Sequence, residues 1–206
     1  MIWLATPVVI IAYFTRGYMA RVIFGTNAPE VALIFGYLTA AIFFRILFTL
    51  VSRYFYAQKD TRTPLLVSIF AIGLNIYLAF RLAHPETYGI TGLALAQSIV
   101  AVTEVMILFC IMIYRDPKLL DRVFWGGVLR IVSVSGFVVL TAFLMVSLFP
   151  LQINNFGFVT LGTKLLLITV TTLAVHIGIS WLFGLEEARA SIGKARQIIM
   201  RPVKIN

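Results

Sequence analysis

Residues 53–82 read RYFYAQKDTRTPLLVSIFAIGLNIYLAFRL. A basic, aromatic helix end (Arg53–Tyr56) runs into the turn Lys59-Asp60-Thr61-Arg62, and Thr63-Pro64 restarts the chain as an apolar run from Leu65 to Leu82. Threonine caps a helix, and proline suits its first position, where no backbone N–H is needed. A segment of about 20 mostly apolar residues is long enough to cross the hydrocarbon core of a bilayer. The stretch therefore reads as the end of one membrane span, a short charged turn and the start of the next.

The same pattern extends in both directions. Spans are expected at Ile2–Phe24, Val31–Ala57, Leu65–Leu82, Ile90–Tyr114, Val128–Phe149 and Phe158–Phe183, with a basic tail from Glu186 in which Ala188–Met200 could lie along the surface as a helix. Composition demands this class. The chain is 61% hydrophobic and 12% charged, whereas soluble domains are roughly 45–50% apolar and about 25% charged. Its mean hydropathy is +0.99. The expected fold is all-α: a polytopic transmembrane bundle of about six spans.

Seventeen Lys and Arg against eight Asp and Glu give a formal charge of +9. In a soluble chain that excess would suggest nucleic acid, but here the cations flank apolar runs and point to anionic headgroups instead. Loop 53–62 carries Arg53, Lys59 and Arg62; loop 115–130 carries Arg115, Lys118, Arg122 and Arg130; the tail carries five more. Loops 25–30 and 150–158 hold none and 81–89 only Arg81, while Arg16 and Arg21 near the far end of the first span are exceptions. By the positive-inside rule both termini are cytoplasmic, which an even number of spans satisfies. Tyr54–Tyr56, Tyr114, Trp125 and Trp181 lie where an interfacial aromatic belt belongs.

Motifs for catalysis, metal binding or a cofactor are missing from the sequence, so the expected protein is not an enzyme. The one cysteine, Cys110, reads as a small buried apolar residue, and His176 as a packing or hydrogen-bonding group rather than a proton relay. Charges inside apolar runs say more, because an ionisable group at the bilayer centre costs at least ~2.5–3.5 kcal/mol and so faces a partner or a wet cavity. Arg45 and Glu104 are two such groups, roughly 12 and 16 Å from the same membrane face at 1.5 Å per residue. Either they form a structural ion pair, or Arg45 lines a cavity and meets an anionic substrate with Glu104 tuning it. Asn75 and Gln97 form either an interhelical hydrogen bond or part of a cation or substrate site. Gly89, Gly92 and Ala96 supply a small face for close helix packing.

Arg53-Tyr54-Phe55-Tyr56-Ala57-Gln58-Lys59-Asp60-Thr61-Arg62-Thr63-Pro64 resembles the R-x-FYA-x-x-DT-x-TP stretch of the MurJ (MviN) lipid II flippases, and Gly89–Ser98 is similar to that family's G-x-x-GLALA-x-S segment. Arg53, Tyr56, Asp60, Thr61, Thr63 and Pro64 are the positions that carry the first motif. The likeness is good over about residues 5–115; beyond, only the pattern of two further helices and a basic tail agrees.

The resemblance implies the fourteen-helix fold of the multidrug/oligosaccharidyl-lipid/polysaccharide exporter superfamily, in the bacterial inner membrane. Residues 1–115 would be four helices of the second lobe, 116–185 two extra helices forming a polyprenyl-tail groove, and 186–206 a cytoplasmic tail. It also implies movement of lipid-linked peptidoglycan precursor by alternating access, with membrane lipids as surroundings and the first lobe supplied by a missing segment or a separate subunit. The family's best-known essential arginines have no counterpart here. Some relatives hold sodium between the helices matching the third and fourth, but Ala79 stands where those carry a carboxylate. Alternatives are a polysaccharide-repeat-unit flippase or drug exporter of the same superfamily, or a non-transporting membrane scaffold.

Overall fold

A computed structural model describes residues 2–25, 28–84, 86, 88–151 and 158–185; the basic tail and its expected surface helix lie outside them. Six helices follow one another: α1 (Ile2–Phe24), α2 (Ala28–Ala57), α3 (Arg62–Leu82), α4 (Ile90–Arg115), α5 (Arg122–Leu148) and α6 (Phe158–Leu182), with a short 3-10 turn at Pro117–Leu119 between α4 and α5. All six are long and apolar enough to cross a membrane, and the described residues contain no strand.

Most boundaries agree with the sequence reading; α2 starts at Ala28 rather than the expected Val31, and α3 and α5 also start early, these two for a common reason. α3 starts at Arg62, three residues before the expected Leu65. Thr63 is not its cap. Thr61 holds the N-cap position without a side-chain bond, and the Asp60 carboxylate accepts the Arg62 and Thr63 N–H groups at 3.1 Å. Pro64 thus becomes the third helical residue, where its missing N–H still costs nothing. α5 likewise starts at Arg122 rather than Val128, because Asp121 caps it by accepting from Arg122 N–H. In both places an aspartate draws a charged turn into the helix ahead of the apolar run.

Packing is inverted relative to a soluble bundle. Inside lie Ala20, Ala41, Ala96, Thr15, Ser52 and Ser180, while Leu66, Phe80, Leu148 and Val159 face outward. Small interior residues let helix backbones approach, as expected where lipid removes any hydrophobic contrast between inside and outside. Cys110 is exposed on α4, contrary to the expectation of burial.

α4 lies between α2 and α3, which barely touch each other. α1 packs on α2 and also on α5 and α6. Trp3 Nε1 at the start of α1 donates to Ser180 Oγ near the end of α6 at 2.8 Å, so these two run antiparallel. At the other end of the bundle the Tyr18 hydroxyl donates to the Phe149 carbonyl, and Lys164 Nζ to the Pro150 carbonyl at 3.2 Å. Arg16 is accommodated by its own helix: its guanidinium lies 4.2 Å from the Tyr13 ring centroid and donates to the Tyr13 carbonyl.

The α3–α4 junction depends on one glycine. A Cβ on Gly92 would lie 2.0 Å from the Leu82 carbonyl oxygen, which is backbone and cannot swing aside. Gly92→Ala is expected to destabilise the bundle by about 1–3 kcal/mol through overpacking. Gly73→Ala meets nothing within 4 Å and is expected to be neutral or to stabilise by up to about 1 kcal/mol through helix propensity. Unfolding midpoints of the two variants in detergent check the opposite signs.

Candidate functional site: a polar cleft at mid-span

Because α2 and α3 splay apart over α4, a cleft of about 410 Å³ opens between them. α2 contributes Arg45 and Phe48, α3 contributes Ser68 and Asn75, and α4 forms the floor with Gln97 and Glu104. The structure therefore gathers Arg45, Asn75, Gln97 and Glu104 at one place. Ser68 was not singled out in the sequence, yet a signal existed. Ser68 and Asn75 are seven residues apart on α3, as are Gln97 and Glu104 on α4, so each pair repeats on one helix face after two turns.

Those spacings produce two polar rungs between the helices. The Asn75 amide Nδ2 donates to Gln97 Oε1 at 2.6 Å, and the Ser68 hydroxyl donates to Glu104 Oε1 at 2.9 Å. Glu104 is only 7% exposed. Arg45 is exposed, and it makes no ion pair with Glu104: the one ion pair among the described residues joins Arg115 to Asp60. A guanidinium thus faces a mid-span cleft whose carboxylate is already engaged by a serine. Five fixed N–H donors make such a group suited to phosphate or carboxylate oxygens. Among the described residues no group of three His, Cys, Asp or Glu side chains that could hold a metal ion assembles.

The motif loop lies at the end of the bundle where α2 stops and α3 begins. Lys59 adopts φ +60°, its N–H bonds the Tyr56 carbonyl and the Asp60 N–H bonds the Phe55 carbonyl, so α2 closes in a Schellman motif with lysine in the position glycine usually takes. Asp60 then ties three elements together. Its carboxylate accepts the Thr63 hydroxyl at 2.7 Å and Arg115 Nη1 at 2.5 Å, while Arg115 Nη2 reaches Thr63 Oγ1 at 3.0 Å. Phe55 is fully buried beneath Arg115, with Val67 and Leu108, rather than sitting in an interfacial belt. Arg53, Tyr56 and Thr61 are exposed, and Pro64 is buried. Gly89 caps α4 at φ +54°, and Ala96 is fully buried.

On the far side of α2, an apolar groove of about 550 Å³ runs between α1, α2 and α5, with walls that include Ile10, Phe43, Leu47, Phe124 and Ile131. It carries no charged residue, in contrast to the cleft.

The family model described as Lipid II flippase MurJ matches residues 1–175. Among curated proteins no match is found.

Hydrogen bonds from Thr63 and then from Arg115 hold the Asp60 carboxyl well below the usual carboxylate range. A depressed folded-state value means that the ionised loop favours folding above pH of about 4, and that this contribution drains away as pH falls towards the lower folded value. Asp60→Asn is therefore expected to lower the unfolding midpoint at pH 7, with the gap to wild type narrowing at pH 3. A pH series of midpoints in detergent reads both.

Proposed function

The chain belongs to the MurJ lipid II flippase family, and on that footing we propose that it forms the second lobe and lipid-tail helices of a transporter for lipid-linked peptidoglycan precursor. It is a multi-pass inner-membrane protein. In this proposal α1–α4 are the lobe, α5 and α6 the added pair, and alternating access carries the head group across. The observation that supports it most is Arg45: an exposed guanidinium at mid-span, opening on a cleft floored by Gln97 and Glu104. An arginine there is costly unless an anion or water meets it, and the precursor's pyrophosphate is such an anion. The apolar groove on the other face of α2 has the chemistry to hold a polyprenyl chain, since it exchanges one hydrocarbon surface for another.

In the same proposal both termini lie on the cytoplasmic side. Lys59 and Arg62 stand at the α2–α3 turn, and Arg115, Lys118 and Arg122 at the α4–α5 turn, giving cationic connections on one face. The first lobe comes from another segment or subunit. Expression of residues 1–206 without it is expected to give no flipping; robust transport by these residues alone would contradict that assignment.

Arg45→Ala should reduce appearance of the precursor in the outer leaflet at least roughly tenfold, the value of a charge-assisted hydrogen bond, while the protein remains folded. Glu104→Gln keeps an acceptor for Ser68 and is expected to alter transport without unfolding. The assay uses the complete transporter, with folded yield measured alongside. If transport survives both changes, singly and together, and only folding suffers, the pathway role is wrong.

A further inference from the structure

His176 on α6 is 2% exposed, and neither of its ring nitrogens meets a hydrogen-bond partner. A neutral imidazole always carries one N–H donor and one bare nitrogen, so burying both without partners in a lipid-facing bundle is expensive. Its nearest aromatic neighbour is Trp3 on α1, with ring centroids 5.0 Å apart. The Trp3 indole N–H is already committed to Ser180.

The Trp3 backbone has a deficit of its own. Pro7 lies inside α1 and is buried. In an α-helix the N–H of residue 7 would donate to the carbonyl of residue 3, and proline has no N–H to give. Trp3 therefore keeps a carbonyl without its helical donor, on a helix whose start is packed against α6. Membrane helices tolerate proline where a neighbouring helix satisfies the freed group.

Thr172, one turn before His176, also has a buried hydroxyl without a partner. A threonine hydroxyl can rotate to the carbonyl four residues back, as Thr6, Thr15 and Thr39 do here. The imidazole has no such local remedy.

We propose that His176 is a positioning residue whose ring N–H, without a partner in this structure, closes on the Trp3 carbonyl released by Pro7 and so latches α6 to the first turns of α1. Ile2, Thr6 and Ile10 on those turns line the apolar groove, so the latch sets where one groove wall stands. The inference concerns the fold of this chain alone and holds whether or not the transport reading does.

A double-mutant cycle on the whole chain in detergent micelles tests it. With Pro7 present, His176→Leu strands the Trp3 carbonyl and should lower the folded-to-unfolded ratio roughly tenfold. In a Pro7→Ala background the restored backbone N–H bonds the Trp3 carbonyl within α1, and the same change should cost less than about threefold. Equal losses in the two backgrounds would overturn the latch. His176→Gln retains a donor and is expected to recover part of the loss; a loss as large as that of leucine would also count against it. A second readout does not depend on stability. With a 13C=18O label at the Trp3 carbonyl, His176→Leu should move its amide I band to higher frequency as the carbonyl loses its donor. An unmoved band would sink the proposal.

Discussion

Hydrocarbon offers no hydrogen bonds, so every polar group that this bundle buries must be answered from within it. That requirement shapes the packing more than hydrophobicity does, because large apolar side chains are as comfortable in lipid as in the interior. Alanine, serine and threonine occupy the contacts, and a few side chains tie helices together: Trp3 to Ser180, Ser68 to Glu104, Asn75 to Gln97. Ser98 Oγ lies 2.5 Å from the Tyr37 carbonyl and adds a tie between α4 and α2. α4 carries Gly92, Ala94, Ala96, Ser98 and Ala101 among its buried residues, which lets α2 and α3 close on it from two sides.

α2 then separates two environments. Arg45 and Phe48 look into the polar cleft, while Phe43 and Leu47 line the apolar groove. For an amphiphile with an anionic head and a long hydrocarbon tail, one helix with two such faces can hold the two parts apart. The polar rungs of the cleft join α3 to α4, while Ser98 ties α4 to α2. At the charged end, Asp60 caps α3 and grips Arg115 of α4, which makes the motif loop a structural joint between these same two helices.

How much could be read beforehand follows from the physics of each feature. Six spans were legible because a bilayer imposes a length and an apolar composition that no other constraint imitates. The starts of α3 and α5 were set too late, since hydropathy does not register a charged first turn that an aspartate caps. Arg45 and Glu104 were recognised as costly from their positions alone, and depth along the helix brought them to one level. Whether they pair depends on rotation about the helix axes, and there Ser68 takes the carboxylate first. Cys110 departs from expectation because its thiol is as comfortable against lipid as inside the bundle. The Pro7–Trp3–His176 contact joins residues at opposite ends of the chain, and no local pattern could have shown it.

Solvent access at position 45 probes the cleft most directly. In a Cys110→Ser background, single cysteines replace Arg45, Glu104 and the outward-facing Phe80, and each is exposed to a membrane-impermeant thiol reagent in proteoliposomes of the assembled transporter. Reaction at both 45 and 104, slowed by inorganic pyrophosphate at 104, where Arg45 is retained, with Phe80→Cys unaffected by it, is the expected result. Positions 45 and 104 that stay unreactive under all conditions would mean a dry helix contact in place of a pathway.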